Sequence, residues 1–261
     1  MENKTNNLLD TNQPAKPIWR SELFRLSAFV FPGQSIDAST WWETIAGEPP
    51  ENQNLQPRAG TRQEEGLYEG GRLVLTVQPD RIDWLFIPAF DKQTGSPAYE
   101  RLPEYDSALK IFRKVVERWL EISPRLSRLA FGAILNFAVP DRPTGYRLLS
   151  NYLHNVQLDP DNSSDFHYQI NRRRLSNKIS GLALNRLSKW SVNIAKFSQL
   201  AIGSVVQEFL ISDHEHIFAH LELDINTVPE HQNLVSNEQL SVIFSELVEL
   251  ASEIANQGDV P

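Results

Sequence analysis

Residues 70–89, GGRLVLTVQPDRIDWLFIPA, decide the fold class. Leu73, Leu75 and Val77 alternate with Arg72, Val74 and Thr76, and Ile82, Trp84 and Phe86 alternate with Arg81, Asp83 and Leu85. Two period-two runs joined by Gln78-Pro79-Asp80 predict a β-hairpin with a proline-initiated turn. Both faces of the pair are largely apolar, which predicts a central position in a sheet covered on each side.

Toward the N-terminus, residues 18–31 alternate through Phe24, Leu26, Ala28 and Val30 and predict a strand ending at Pro32-Gly33. A short helix is expected over 35–46, carrying Trp41, Trp42 and Ile45. Adjacent helical positions lie about 100° apart. Either one tryptophan is partly exposed and serves as a partner-binding anchor, or the helix lies between two layers and buries both. Residues 47–66 are rich in Pro, Gln, Asn and Glu and read as a loop.

Beyond the hairpin, residues 105–122 carry Leu109, Phe112, Val116, Trp119 and Leu120 as one helical stripe, stopped by Ser123-Pro124. Residues 129–139 alternate as a strand, and a helix with Tyr146, Leu149, Leu153 and Val156 follows. The run DPDNSSD at 159–165 reads as a boundary. After it come strands over 166–170, 179–187, 189–197 and 216–225. A Ser236/Gln239 capping pair then opens a helix striped by Leu240, Ile243, Leu247, Leu250 and Ile254. Strands in runs, with fewer helices, predict an α+β fold of mostly antiparallel sheets with helices packed on them. The expected division is a disordered leader at 1–17 and two closely packed lobes at 18–158 and 159–261.

The 261 residues contain no cysteine, which excludes disulfides, thiolate catalysis and Cys-based metal sites. No run approaches the roughly 18 apolar residues of a membrane span, and the first residues lack a signal-peptide core, so a cytoplasmic protein without membrane association is expected. Net charge is −8, unevenly spread. Residues 165–200 hold seven cations (Arg172, Arg173, Arg174, Lys178, Arg186, Lys189 and Lys196) against Asp165 alone, whereas 201–261 hold eleven carboxylates and no Lys or Arg. Such segments pair with each other in the fold, or present separate faces to partners.

Two chemistries compete for these features, each against a plain structural alternative. Arg172, Arg173, Arg174, Lys178, Arg186 and Lys189, with Tyr168 nearby, form the basic surface that phosphate contact and base stacking need. Against that stands internal pairing with the acidic C-terminal third. His214, His216, His220, Glu222 and Asp224 share strand parity, and His214, His216 and Asp224 are the candidate ligands of a metal-dependent hydrolase. The plain alternative is the polar side of a half-buried strand. Neither a phosphate-binding glycine loop nor a nucleophile elbow occurs, and no catalytic residues or cofactor are assigned.

The strand AHLELDINTVPEH, through Leu221, Leu223, Asp224 and Ile225, and the following NEQLSVIFSELVELASEIANQ resemble the end of a sporadically distributed bacterial family of proteins of about this length and of unknown function. RLAFGAILNFAVP, at 128–140, is similar to that family's mid-chain strand. The resemblance covers about a third of the chain, which departs from the family in its first strand and its arginine triplet. It implies a bacterial accessory protein encoded near mobile-element or phage-defence genes. The reading that results is a non-enzymatic binding protein of a bacterial complex, acting through charge-segregated interfaces with a protein partner or a second copy. Nucleic-acid binding through the basic segment 172–196 is the alternative, and a metal-dependent hydrolase the third reading.

Overall fold

The computed structural model describes residues 18–31, 33–88, 102–195, 216–230 and 237–261. The expected leader, His214, Lys196 and Ser236 lie outside these. Ten strands form one sheet, of which nine run in the order β2-β3-β4-β5-β1-β6-β10-β9-β7. They are β1 (Arg20–Val30), β2 (Asn52–Gln56), β3 (Thr61–Tyr68), β4 (Gly71–Val77), β5 (Arg81–Pro88), β6 (Leu126–Val139), β7 (His167–Asn171), β8 (Arg174–Leu175), β9 (Ala183–Ala195) and β10 (His216–Thr227). Strand β8 pairs with β9 off that path, and every pairing is antiparallel. The helices are α1 (Trp41–Ala46), α2 (Tyr105–Ile122), α3 (Arg142–Ser150) and α4 (Asn237–Gln257). The fold is α+β and antiparallel, as the patterning predicts.

The hairpin forms as read. Val77 pairs with Ile82, Leu75 with Trp84 and Leu73 with Phe86, so its even–odd parity fixes which side chains meet the core. One row crosses seven strands from this point: Glu64, Leu75, Trp84, Leu26, Phe131, Ile225 and Arg186. Its five apolar members are fully buried. Phe112 of α2 stacks on Phe24 and meets Phe131, and Phe244 of α4 meets Phe131 edge-on. Trp42 of α1 stacks on Trp84, and Trp119 of α2 meets both Trp41 and Trp84. Helix α3 is capped by Asp141, whose carboxylate accepts from the Thr144 amide at 2.7 Å. It lies close to Val139 and Val192 on the same side, at Gly145.

The four helices therefore lie on one face of the sheet. Among the described residues nothing covers the other face of the hairpin, where cover on each side was expected, and the size of the helices accounts for the one face. Four helices of about 10 Å diameter cover about 40 Å, and nine strands at about 4.8 Å spacing span about 38 Å. They suffice for one face.

Two further expectations are corrected. Residues 47–66 contain the hairpin β2–β3, with Asn54 paired to Gln63. All five β2 side chains are exposed, so the strand has no apolar alternation to show. The two strands expected at 179–187 and 189–197 are one strand, β9, in unbroken register with β10 from Thr227–Leu184 onward. Buried Arg186 and Ser188 occupy core-facing positions between Leu184 and Trp190, and their polarity interrupts the pattern. The run 159–165 is a turn-rich connection, and the sheet continues across it: β6 from before pairs with β10 from after over ten residues.

Candidate functional site

The first candidates are the tryptophans. Trp41 and Trp42 are 5% and 2% exposed, so the exposed-anchor expectation is corrected: the sandwiched alternative holds. Helix α1 is laid between Trp84 and Trp119, and both indoles are core.

The basic segment is next. Arg172 grips Asp259 with two bonds, and Tyr168 donates to the same carboxylate at 2.8 Å. Arg173 meets Glu230 at 3.1 Å, Lys178 meets Glu249 at 3.6 Å and Lys189 meets Glu222 at 2.9 Å. Arg174 and Arg186 share the Oε2 oxygen of Glu253, at 3.0 and 3.2 Å. Each of these six cations is thus paired with a carboxylate of the acidic C-terminal third. The charge asymmetry of the sequence is a complementarity within the fold. The Arg172 guanidinium holds the Asp259 carboxyl below the ordinary carboxylate range, while burial weakens the hold of Arg186 on its proton.

The histidine strand keeps its expected parity: His220, Glu222, Asp224 and Asn226 alternate with buried Leu221, Leu223 and Ile225. Parity is not proximity, however. His216 and Asp224 are eight residues apart on β10, about 26 Å at ~3.3 Å per residue, so they cannot share one ion. His220 instead bonds Asn136 through Nδ1 at 2.8 Å, and Asn136 donates to Glu22 at 2.6 Å. The Asn136 amide nitrogen faces Glu22, so its oxygen faces His220 and accepts the Nδ1 proton. Burial lowers the pKa of His220.

The feature that remains is the sheet face opposite the helices. Val74 pairs with Leu85, Leu85 with Arg25, Arg25 with Gly132 and Gly132 with Asp224. In the adjoining row Leu67 pairs with Arg72, Arg72 with Ile87, and Leu23 with Ile134. Leu67 is 72% and Ile87 41% exposed. Each belongs to a strand whose other face is core, and among the described residues no element covers this side.

Charge on the face is mostly answered locally. Arg72 pairs with Glu65 and Glu51, Arg81 with Asp83, and Lys189 with Glu222. Arg128 lies over the Phe29 ring at 4.5 Å and donates to the Thr227 carbonyl. Arg25 differs. It is exposed, extends over the Gly132 backbone and makes no ion pair among the described residues. An uncompensated arginine beside Leu23, Leu85 and Ile134 is the composition found at the energetic centre of protein interfaces. Sequence reading missed the site because its members come from five strands; the apolar second face of the hairpin was the available signal. No protein-family model, curated protein or solved structure matches the chain.

Proposed function

We propose that this is a non-enzymatic binding protein, an accessory component of a bacterial complex, whose partner docks on the helix-free face of the sheet. The observation that carries the reading is the run Leu23, Leu67, Leu85, Ile87 and Ile134 around Arg25 on a face that no described element covers. Nine strands at ~4.8 Å and about seven paired residues at ~3.4 Å give the whole face an area of about 900 Å², about half of it on the five strands that this run spans. The whole face matches the roughly 800 Å² that each partner contributes to a standard interface. The complementary surface is apolar and places a carboxylate against Arg25, because a cation buried at an interface without a counter-charge is costly.

Internal pairing of Arg172, Arg173, Arg174, Lys178, Arg186 and Lys189 supports this reading over the nucleic-acid one. The test is affinity purification of the full chain with Arg25→Glu and, separately, Ile87→Asp, each beside a melting curve. Both side chains are exposed, so each variant stays within about 0.5 kcal/mol of the wild type in stability and loses the partner. Retention of the partner by both folded variants refutes the assignment. A chain–chain complex that these substitutions dissolve identifies the partner as a second copy.

A further inference from the structure

The Arg186 side chain is only 1% exposed, yet among the described residues it makes a single hydrogen bond, from Nη2 to Glu253 at 3.2 Å. Its Nε and Nη1 groups are buried without a partner among the described residues. Orphan donors on a buried guanidinium are costly, and natural structures seldom keep them without a use. Two further arginines converge on the same place. Arg174 shares the Glu253 oxygen with Arg186, and Arg172, two residues before Arg174, lies opposite Arg186, its amide bonded to the Arg186 carbonyl at 3.1 Å. Three guanidinium groups thus face two carboxylates, Glu253 and Asp259.

Asp259 arrives on a short strap. Helix α4 ends at Gln257, and Gly258 adopts φ 85°, where a Cβ would overlap the Tyr152 carbonyl. The turn aims Asp259 at Arg172 and Tyr168. Beyond the three bonds its carboxylate accepts, the strap is tied to the rest of the chain by the Gly258 amide to the Ile254 carbonyl at 2.8 Å, the Asp259 amide to the Tyr152 carbonyl at 2.9 Å, and Arg174 to the Pro261 carbonyl at 2.7 Å. Were Asp259 withdrawn, Arg172 Nε and Nη2 and the Tyr168 hydroxyl would join the Arg186 Nε and Nη1 groups. Because Arg172 lies opposite Arg186 across the strands, these are five donors at neighbouring positions on one face, more than a two-oxygen carboxylate satisfies and suited to a tetrahedral oxyanion.

We infer that Arg172, Arg174 and Arg186 form a phosphate-type oxyanion site that the chain's own Asp259 occupies. The site lies on the helix-covered side and is independent of the open face. The strap is then an internal competitor, and phosphate binds as Asp259 leaves.

The test uses the full chain carrying Asp259→Ala and reads melting temperature against inorganic phosphate, with chloride at equal ionic strength as the control. The variant melts below the wild type, and phosphate raises its melting temperature saturably. Its apparent affinity is about tenfold or more above that of the wild type, and adding Arg172→Met removes the effect. A phosphate response no larger than that of chloride overturns the assignment, as does a response that survives Arg172→Met. If Asp259→Ala does not fold, Asp259→Asn is read in the same way. A labelled single-stranded oligonucleotide at about 50 and 200 mM salt separates the sources of the anion. Salt-sensitive binding by the variant assigns a nucleic-acid backbone; response to inorganic phosphate alone assigns a free oxyanion.

Discussion

Replacing Glu253 by alanine tests how the charge asymmetry is held inside the fold. Glu253 Oε2 accepts from both Arg174 and Arg186. Arg174 is 29% exposed and can turn to water, but Arg186, at 1%, cannot. Removing the carboxylate leaves a buried guanidinium without its counter-charge, at a cost of about 3–5 kcal/mol. For a chain of this size each kcal/mol lowers the melting temperature by about 2–4 °C, so the variant melts about 6–20 °C below the wild type. Arg173→Ala is the control. Its ion pair with Glu230 is exposed on both sides and is worth at most about 1 kcal/mol. Adding Arg186→Met to Glu253→Ala removes the stranded charge and keeps the side-chain volume, so most of the loss is recovered; a double-mutant cycle measures this. The assay is urea unfolding followed by tryptophan fluorescence, with buried Trp190 as a reporter beside this region. A loss below about 1 kcal/mol for Glu253→Ala, equal to that of the exposed control, would refute the role given to the pair.

Other outcomes follow from the same packing. Phe112→Ala removes a fully buried ring between Phe24 and Phe131 and costs about 3–5 kcal/mol in the same unfolding assay. Trp42→Ala lowers the melting temperature through loss of its stack on Trp84, and a variant of unchanged stability would contradict its core assignment. The Asp259 carboxyl titrates below its ordinary value of 3.8 in the folded chain, so its contribution is fully present above that value. The contribution is lost as pH falls through the lower folded value. Acid unfolding curves of wild type and Arg172→Met should therefore differ in size of stabilisation above pH 3.8 and converge below the folded value.

The apolar rows were legible from sequence because their signal is periodic. Leu73, Leu75, Trp84 and Phe86 announced a hairpin, Leu109 to Trp119 a helix, and Leu221 to Ile225 a strand with a polar back. The misreadings share a physical cause: polar residues in positions set by long-range partners. Strand β2 is polar apart from exposed Leu55 because it is an edge strand paired only with β3. Arg186 faces the core because Glu253 meets its Nη2 there, and Ser188 because the Trp190 indole donates to its hydroxyl. The charge asymmetry was visible as composition. Its resolution into named pairs was not, because Arg172 and Asp259 are 87 positions apart and only the strap after α4 brings them together. That the described helices all take one side of the sheet is likewise a long-range matter, and no local pattern records that side.

The most direct test of the open-face assignment is a photo-crosslinking amino acid placed either at Ile87, on that face, or at Val242, exposed on helix α4. The account predicts a discrete protein adduct from position 87 that disappears when Arg25→Glu is added, and no adduct from position 242. An adduct from 242 with none from 87, or one from 87 that is indifferent to Arg25→Glu, would place the partner elsewhere and contradict the account.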